Sequence, residues 1–152
     1  MIKFTGLLIS TIFFFMSFNS TDLDEVRANY NTLISNKALC KRMIAELTKT
    51  KNNSATHLAY LGGSKTIWAN HVFSPIGKLN TFKEGKKNIE QAIKKEPTNV
   101  ELRFIRLSVQ KNAPSFLGYK SNINEDTVFI KENRHQIRSE ILQKMIETLL
   151  KG

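Results

Sequence analysis

An all-α fold is what this sequence predicts, and three observations carry the prediction. Apolar residues recur at three- and four-residue intervals from Leu23 to Leu150. No segment alternates with a period of two, so strands are not expected. Ser, Asn, Thr, Pro and Gly fall between the periodic stretches, where helices begin and end.

The elements follow in order. Leu23, Val26, Tyr30, Leu33 and Ile34 share one helical face. Thr21 or Asp22 can cap that helix, with Asp24 and Glu25 in its first turn, where carboxylates favour the helix dipole. Leu39, Met43, Ile44 and Leu47 mark a second segment, either continuous with the first or separated from it at Asn36. Cys40 lies in this apolar setting and reads as a small buried hydrophobe. The polar run Lys49 to Ser54 is a loop, and Ser54 caps a third helix. Leu58, Leu61, Trp68 and Val72 form that helix's inward face, Phe73 belongs to the core, and Phe73 to Gly77 (FSPIG) ends it. Asn80 or Thr81 opens a fourth helix, through Phe82, Gly85, Ile89, Ala92 and Ile93 to Glu96, and Pro97 closes it. Thr98 or Asn99 starts a fifth, which Asn112-Ala113-Pro114 stops. Pro114 to Asn122 is a loop with enough apolar content to pack on the core. A short helix over 123–130 and an amphipathic C-terminal helix over 135–150 complete the chain.

The first twenty residues, MIKFTGLLISTIFFFMSFNS, stand outside this pattern. Lys3 is a short basic head, Phe4 to Phe18 an apolar run, and Ser17, Asn19 and Ser20 small polar residues after it. That is the layout of a signal peptide, and the run is short for a membrane span, which needs roughly 20 apolar residues. No A-x-A cleavage pattern and no following cysteine accompany it. The expectation is a signal segment over 1–20 and one helical domain over 21–152, exported to the periplasm or secreted, and tethered to the membrane only if the segment stays uncleaved. One cysteine cannot make an internal disulfide, so core packing must hold the domain.

Beyond residue 20 the chain carries 22 basic and 13 acidic groups. Residues 65–111 hold ten of the bases against four acids, and so most of the excess. A positive field of that kind favours anionic partners, among them phosphates, acidic polysaccharide, anionic lipid and acidic proteins. Nucleic acid ranks low, because an exported protein seldom meets it.

The stretch Gly85 to Leu107, GKKNIEQAIKKEPTNVELRFIRL, resembles the second helix of a tetratricopeptide repeat running into the next repeat. Gly85, Ile89, Ala92 and Pro97 fall at the repeat's small, apolar, Ala and Pro spacing, and Asn99 and Glu101 stand where the next repeat opens with Asn and an acid. Leu58, Leu61 and Gly62 resemble a first-helix pattern, although Gly62 to Gly85 is about twice the usual gap. The resemblance covers residues 55 to 111. It implies antiparallel helix pairs stacked as a short superhelix, with a binding groove and no catalysis. Repeats that clamp a peptide carboxylate use Lys, Arg or Asn at positions here held by Glu101, Phe104, Ile105 and Ser108, so that ligand class is not implied. The whole chain is also similar to small exported helical proteins of Gram-negative bacteria, which imply no activity.

The segment Tyr60 to Leu79, YLGGSKTIWANHVFSPIGKL, holds the residues that most suggest chemistry. A phosphate loop ending in Lys65-Thr66 requires glycine at 59 and 64, where Ala and Ser stand, and a strand before it, where the spacing is helical. His57 and His71 are fourteen residues apart, about 21 Å along one helix, so they cannot share a metal. No nucleophile elbow, H-x-x-x-H or E-x-x-H occurs, and Glu125-Asp126 reads as a helix start. Neither catalytic residues nor a metal or cofactor is expected. Lys65, Trp68, Asn70, His71, Arg103, Arg106 and Tyr119 are the candidate binding residues, with Arg103 and Arg106 on one side of a helix. The expected function is a non-catalytic scaffold in the bacterial envelope, recognising a protein or an anionic component. The alternatives are a carrier of a small apolar molecule or lipid in a pocket between helices near Trp68 and Tyr119, and an accessory component of envelope polymer or pigment biosynthesis. A large apolar cavity favours the carrier; a groove lined by Lys65, Arg103 and Arg106 favours the scaffold. Monomer and dimer both remain open.

Overall fold

The computed structural model describes residues 22–50 and 54–152. The expected signal segment, 1–20, lies outside the described residues. Among those described, every regular element is helical and there is no strand. No helix there is long and apolar enough to cross a membrane.

Seven α-helices follow one another: α1 (Leu23–Tyr30), α2 (Lys37–Lys49), α3 (Ala55–Trp68), α4 (Pro75–Lys95), α5 (Val100–Asn112), α6 (Ile123–Asn133) and α7 (Glu140–Lys151). Short 3-10 turns at Asn31–Ile34, Ala69–His71, Ser115–Leu117 and Arg134–Gln136 link them. Polar caps fix most starts. The side chains of Asp22, Asn36, Ser54, Ser74, Asn99 and Ser139 each accept a hydrogen bond from an orphan amide of the following helix.

Three expectations are corrected. The stretch FSPIG does not only end a helix. α3 stops at Trp68, and Ser74 caps α4 with Pro75 in its first turn, where a missing N–H costs nothing. Phe73 is not core: its side chain is 100 % exposed. The last helix begins at Glu140, five residues after the expected start, because Ser139 caps it and Arg134–Gln136 forms a separate turn.

α3 is the central element. It packs against α1, α2, α4 and α5, so it buries residues around most of its circumference and shows no clean stripe. Its inward residues are mostly small (Ala55, Ala59, Gly62, Gly63 and Ser64), and Leu58 and Leu61 are only partly buried. The tightest contact is with α4. Gly62 faces Gly85 and Ile89, and Gly85 faces Gly62 and Thr66, so the two helices run in opposite senses with their backbones nearly touching. Around this pair Val26, Leu33, Cys40, Ile89, Leu102, Ile105, Leu107, Ile130 and Ile146 close the core. Each large aliphatic side chain removed from water contributes about 1.5–3 kcal/mol.

Candidate functional site

Three helix ends and one helix start meet at one end of the bundle. Tyr30 ends α1, Ile67 lies near the end of α3, Val109 and Asn112 close α5, and Pro75, Lys78, Leu79 and Phe82 belong to the first two turns of α4. Between them lies a groove of about 400 Å³. Its far wall is the 3-10 turn after Pro114, which supplies Phe116 and Leu117. Ligand sites fall between about 300 and 1,000 Å³, and most are apolar with a few placed polar groups. This groove fits that description at the small end.

Its floor is closed and its rim is not. Tyr30, Phe82 and Val109 are buried. Ile34 is 57 % exposed, Leu79 39 % and Phe116 85 %, and Ile76, one residue from Pro75, is 73 % exposed. Apolar side chains placed this way in a small domain leave an uncovered apolar patch, which ordinarily marks a binding site. Pro114 follows the end of α5 and leads into the 3-10 turn, and Gly118, in the left-handed conformation with φ 62°, ends that turn.

The groove's polar groups are few. Burial pushes the Tyr30 phenol up to about 12, so it stays neutral at physiological pH. Asn31, Asn70 and Asn112 contribute amides, Thr66 and Ser108 hydroxyls, and Lys78 an ammonium; among the described residues no carboxylate lines the groove. The Thr66 and Ser108 hydroxyls are already engaged, donating to the carbonyls of Gly63 and Ile105.

The seven expected binding residues separate into three groups. Trp68, Asn70 and His71 gather at the end of α3, with the Trp68 and His71 rings 5.5 Å apart and Lys37 over the Trp68 ring at 5.8 Å. His71 Nε2 lies 3.3 Å from the Leu33 carbonyl oxygen. Of the seven, Asn70 lines the groove. Lys65 stands apart, paired with Glu84 at 3.1 Å.

The third group is an ion-pair cluster around Asp126, which is fully buried. Arg106 donates through Nε to Asp126 Oδ2 and through Nη2 to Asp126 Oδ1, both at 2.7 Å, and reaches Glu90 at 3.1 Å. Burial alone would lower the Arg106 pKa, but these carboxylates raise it well above its ordinary value. Arg103 reaches Asp126 at 3.0 Å and Glu125 at 2.8 Å, and lies over the Phe129 ring. Hydrogen bonds from Asn122 and Arg103 hold Glu125 below the usual carboxylate range. The Tyr119 hydroxyl donates to Glu90 at 2.6 Å, and its proton is held tightly by burial and by that bond. Both arginines are thus engaged with acids of α4 and α6, and do not present free guanidinium groups to a groove.

A second, polar cleft of about 730 Å³ lies between α1, the α4–α5 turn and the start of α7. Glu101 is its nearly buried anchor. Arg27 donates to both Glu101 oxygens at 2.7 Å, and the Tyr60 hydroxyl donates to Oε1 at 2.7 Å. These charges satisfy one another, as in a structural network. Cys40 offers no chemistry, since burial pushes its thiol up to about 11. Among the described residues no group of three His, Cys, Asp or Glu is placed to hold a metal ion.

Sequence reasoning missed Tyr30, Leu79, Phe82, Val109 and Phe116 as a set. Periodicity assigned Tyr30, Phe82 and Val109 to helical faces, while Leu79 and Phe116 lay beside the segment read as a helix end and in a loop. No family model, curated protein or solved structure matches the chain.

Proposed function

We propose that this chain is a non-catalytic carrier that holds a small apolar molecule or acyl chain in the groove at the end of α1, α3 and α5. The observation that carries the reading is the combination of a closed apolar floor with exposed Leu79 and Phe116 on its rim. A concave apolar surface with exposed apolar side chains on its rim is the kind of place where ligands bind. The arginines that would support an anion-binding scaffold are consumed by Asp126, Glu125 and Glu90.

The tetratricopeptide-like architecture belongs to the same proposal. Gly85, Ile89 and Ala92 are buried on α4, Pro97 separates α4 from α5, and α3 packs against both α4 and α5. The resemblance implies that relation between the first helices of successive repeats. Export rests on the signal-like segment 1–20 alone.

Nile red, a neutral dye that brightens in apolar surroundings, tests the carrier reading. The full chain should bind it, and Phe116→Glu should weaken binding about tenfold by placing a charge at the apolar rim. Equal binding by Phe116→Glu would place the dye elsewhere and sink the reading.

A second reading, protein recognition, draws on one observation. Phe73, fully exposed, and Ile76 extend the apolar surface beyond the groove toward the turn before α4. An amphipathic helix of a partner can cover such a strip.

A further inference from the structure

We infer that the groove takes an anionic single-chain amphiphile, a long-chain carboxylic acid, with its carboxylate beside Lys78 and its hydrocarbon along Leu79, Phe82 and Phe116. The inference rests on the carrier reading and names its ligand class.

Charge complementarity supplies the argument. Among the described residues, Lys78 is the only formal charge lining the groove and no acid lines it. Of the other cations in the basic middle third, Lys65 pairs with Glu84, Arg103 and Arg106 with Asp126, Lys111 with the Leu149 carbonyl at 2.6 Å, and Lys86 lies over the Tyr119 ring, while Lys83, Lys87, Lys94 and Lys95 do not line the groove. The Lys78 ammonium makes no hydrogen bond or ion pair with any described residue, and its side chain is exposed on the rim. An unpaired ammonium beside an apolar cavity selects for a ligand that is apolar at one end and negative at the other.

The helix ends fix where the head sits. Lys78 lies in the first turn of α4, at the positive end of its dipole, although Pro75 has no amide hydrogen and the Gly77 amide is taken by Ser74 Oγ, so the Lys78 ammonium is the main attraction there. α3 and α5 end at the groove, so their last carbonyls bring partial negative charge to the opposite wall. A carboxylate is therefore favoured against α4 and disfavoured across the cavity. The head also stays near water at the rim, which avoids the cost of burying a charge. Size sets the number of chains. A cavity of about 400 Å³ is at the lower end for ligand sites, which suits one hydrocarbon chain rather than two.

Displacement of Nile red from the full chain by three ligands of equal chain length gives the test: dodecanoate, dodecanol and dodecyltrimethylammonium, each below its micelle concentration. Dodecanoate should displace the dye at about tenfold lower concentration than either of the others. Lys78→Met should erase that preference and leave dodecanol unchanged, and Lys78→Arg should retain it. Lys78 is exposed, so neither substitution disturbs the core. Equal displacement by all three ligands would overturn the inference and leave the carrier reading standing. Failure of all three, with no dye bound, would overturn both. Co-sedimentation with phosphatidylglycerol vesicles, lost in Lys78→Met and with no dodecanoate displacement, would assign Lys78 to a membrane surface and overturn the inference.

Discussion

Replacing Gly85 by alanine tests the packing that organises the bundle. A Cβ built on Gly85 would lie 2.5 Å from the Gly62 carbonyl oxygen, 2.7 Å from Thr66 Cγ2 and 2.8 Å from the Thr66 amide nitrogen, whereas ordinary contact begins at 3.4 Å. Two of these neighbours are backbone atoms, so rotating a side chain cannot relieve the clash. α3 and α4 must separate by something on the order of 1 Å, and a gap of that size forfeits about a quarter to a half of each dispersion contact along the crossing. Overpacking of this kind costs about 1–3 kcal/mol. Alanine returns about 1 kcal/mol, because glycine is the poorer helix former. Because two of the struck atoms are backbone, the clash falls in the upper part of that range, about 2–3 kcal/mol, and the net loss should be roughly 1–2 kcal/mol, with Gly85→Leu worse. Gly77→Ala is the matched control. There the new Cβ would meet Val72 Cγ1 at 2.9 Å, a methyl that can turn aside, so the effect should be near zero or slightly stabilising. Urea unfolding of both variants measures the difference, read as a shift in midpoint at constant slope. A Gly85→Ala protein as stable as the parent would refute the close approach of α3 and α4. Because Gly62 and Gly85 press on the same gap, the double alanine variant should lose less than the sum of the singles.

Two further outcomes follow from the buried groups. Arg106→Met should destabilise by about 3 kcal/mol, because Asp126 stays fully buried with only Arg103 to answer it; chemical unfolding checks this, and Arg106→Met with Asp126→Leu should recover much of the loss. Stability should also fall in alkali. Burial raises Tyr30 from 10 to about 12 and Cys40 from 9 to about 11, so the folded chain holds these protons more tightly than the unfolded chain. Their contribution is complete below pH 9 and is lost as pH rises from 9 toward 12. The urea midpoint should therefore decline above pH 9, and a midpoint constant to pH 11 would contradict the burial of both groups.

The helix caps and breaks were legible because they depend on local chemistry. Asp22, Ser54 and Asn99 cap where their side chains can reach an orphan amide, and Pro97 and Pro114 separate helices by removing a donor. Phe73 was misread because periodicity cannot tell an apolar residue that ends one helix from an exposed one that precedes the next. Pro75 carried the missing information, since a proline can open a helix as well as stop one. α3 was misread in a different way. A helix surrounded on most sides buries small residues all round, so Leu58, Leu61 and Trp68, which do pack partly buried against the core, are only part of the face it buries. The candidate site was the least legible part. Arg103 and Arg106 looked like a free cationic face because their partners, Asp126 and Glu125, lie some twenty residues away in sequence. The apolar groove draws on four helices and three 3-10 turns, and no window of sequence contains it.

The crossing and the groove share a residue, and that links the stability of the bundle to its proposed ligand. Thr66 is the neighbour that a Gly85 side chain would strike, and the same Thr66 lines the cavity. On the α4 side the groove begins at Phe82, one turn before Gly85. Where glycines face each other the helices touch; one turn further on, Ile67 and Phe82 set the spacing and space opens between them. Gly85 is therefore more than a packing device. It holds α3 and α4 together beside Thr66, which borders the groove. A substitution that pushes the helices apart at Gly85 must displace Thr66 as well, so the Gly85→Ala variant that reads the crossing in urea also reads the groove's dependence on it.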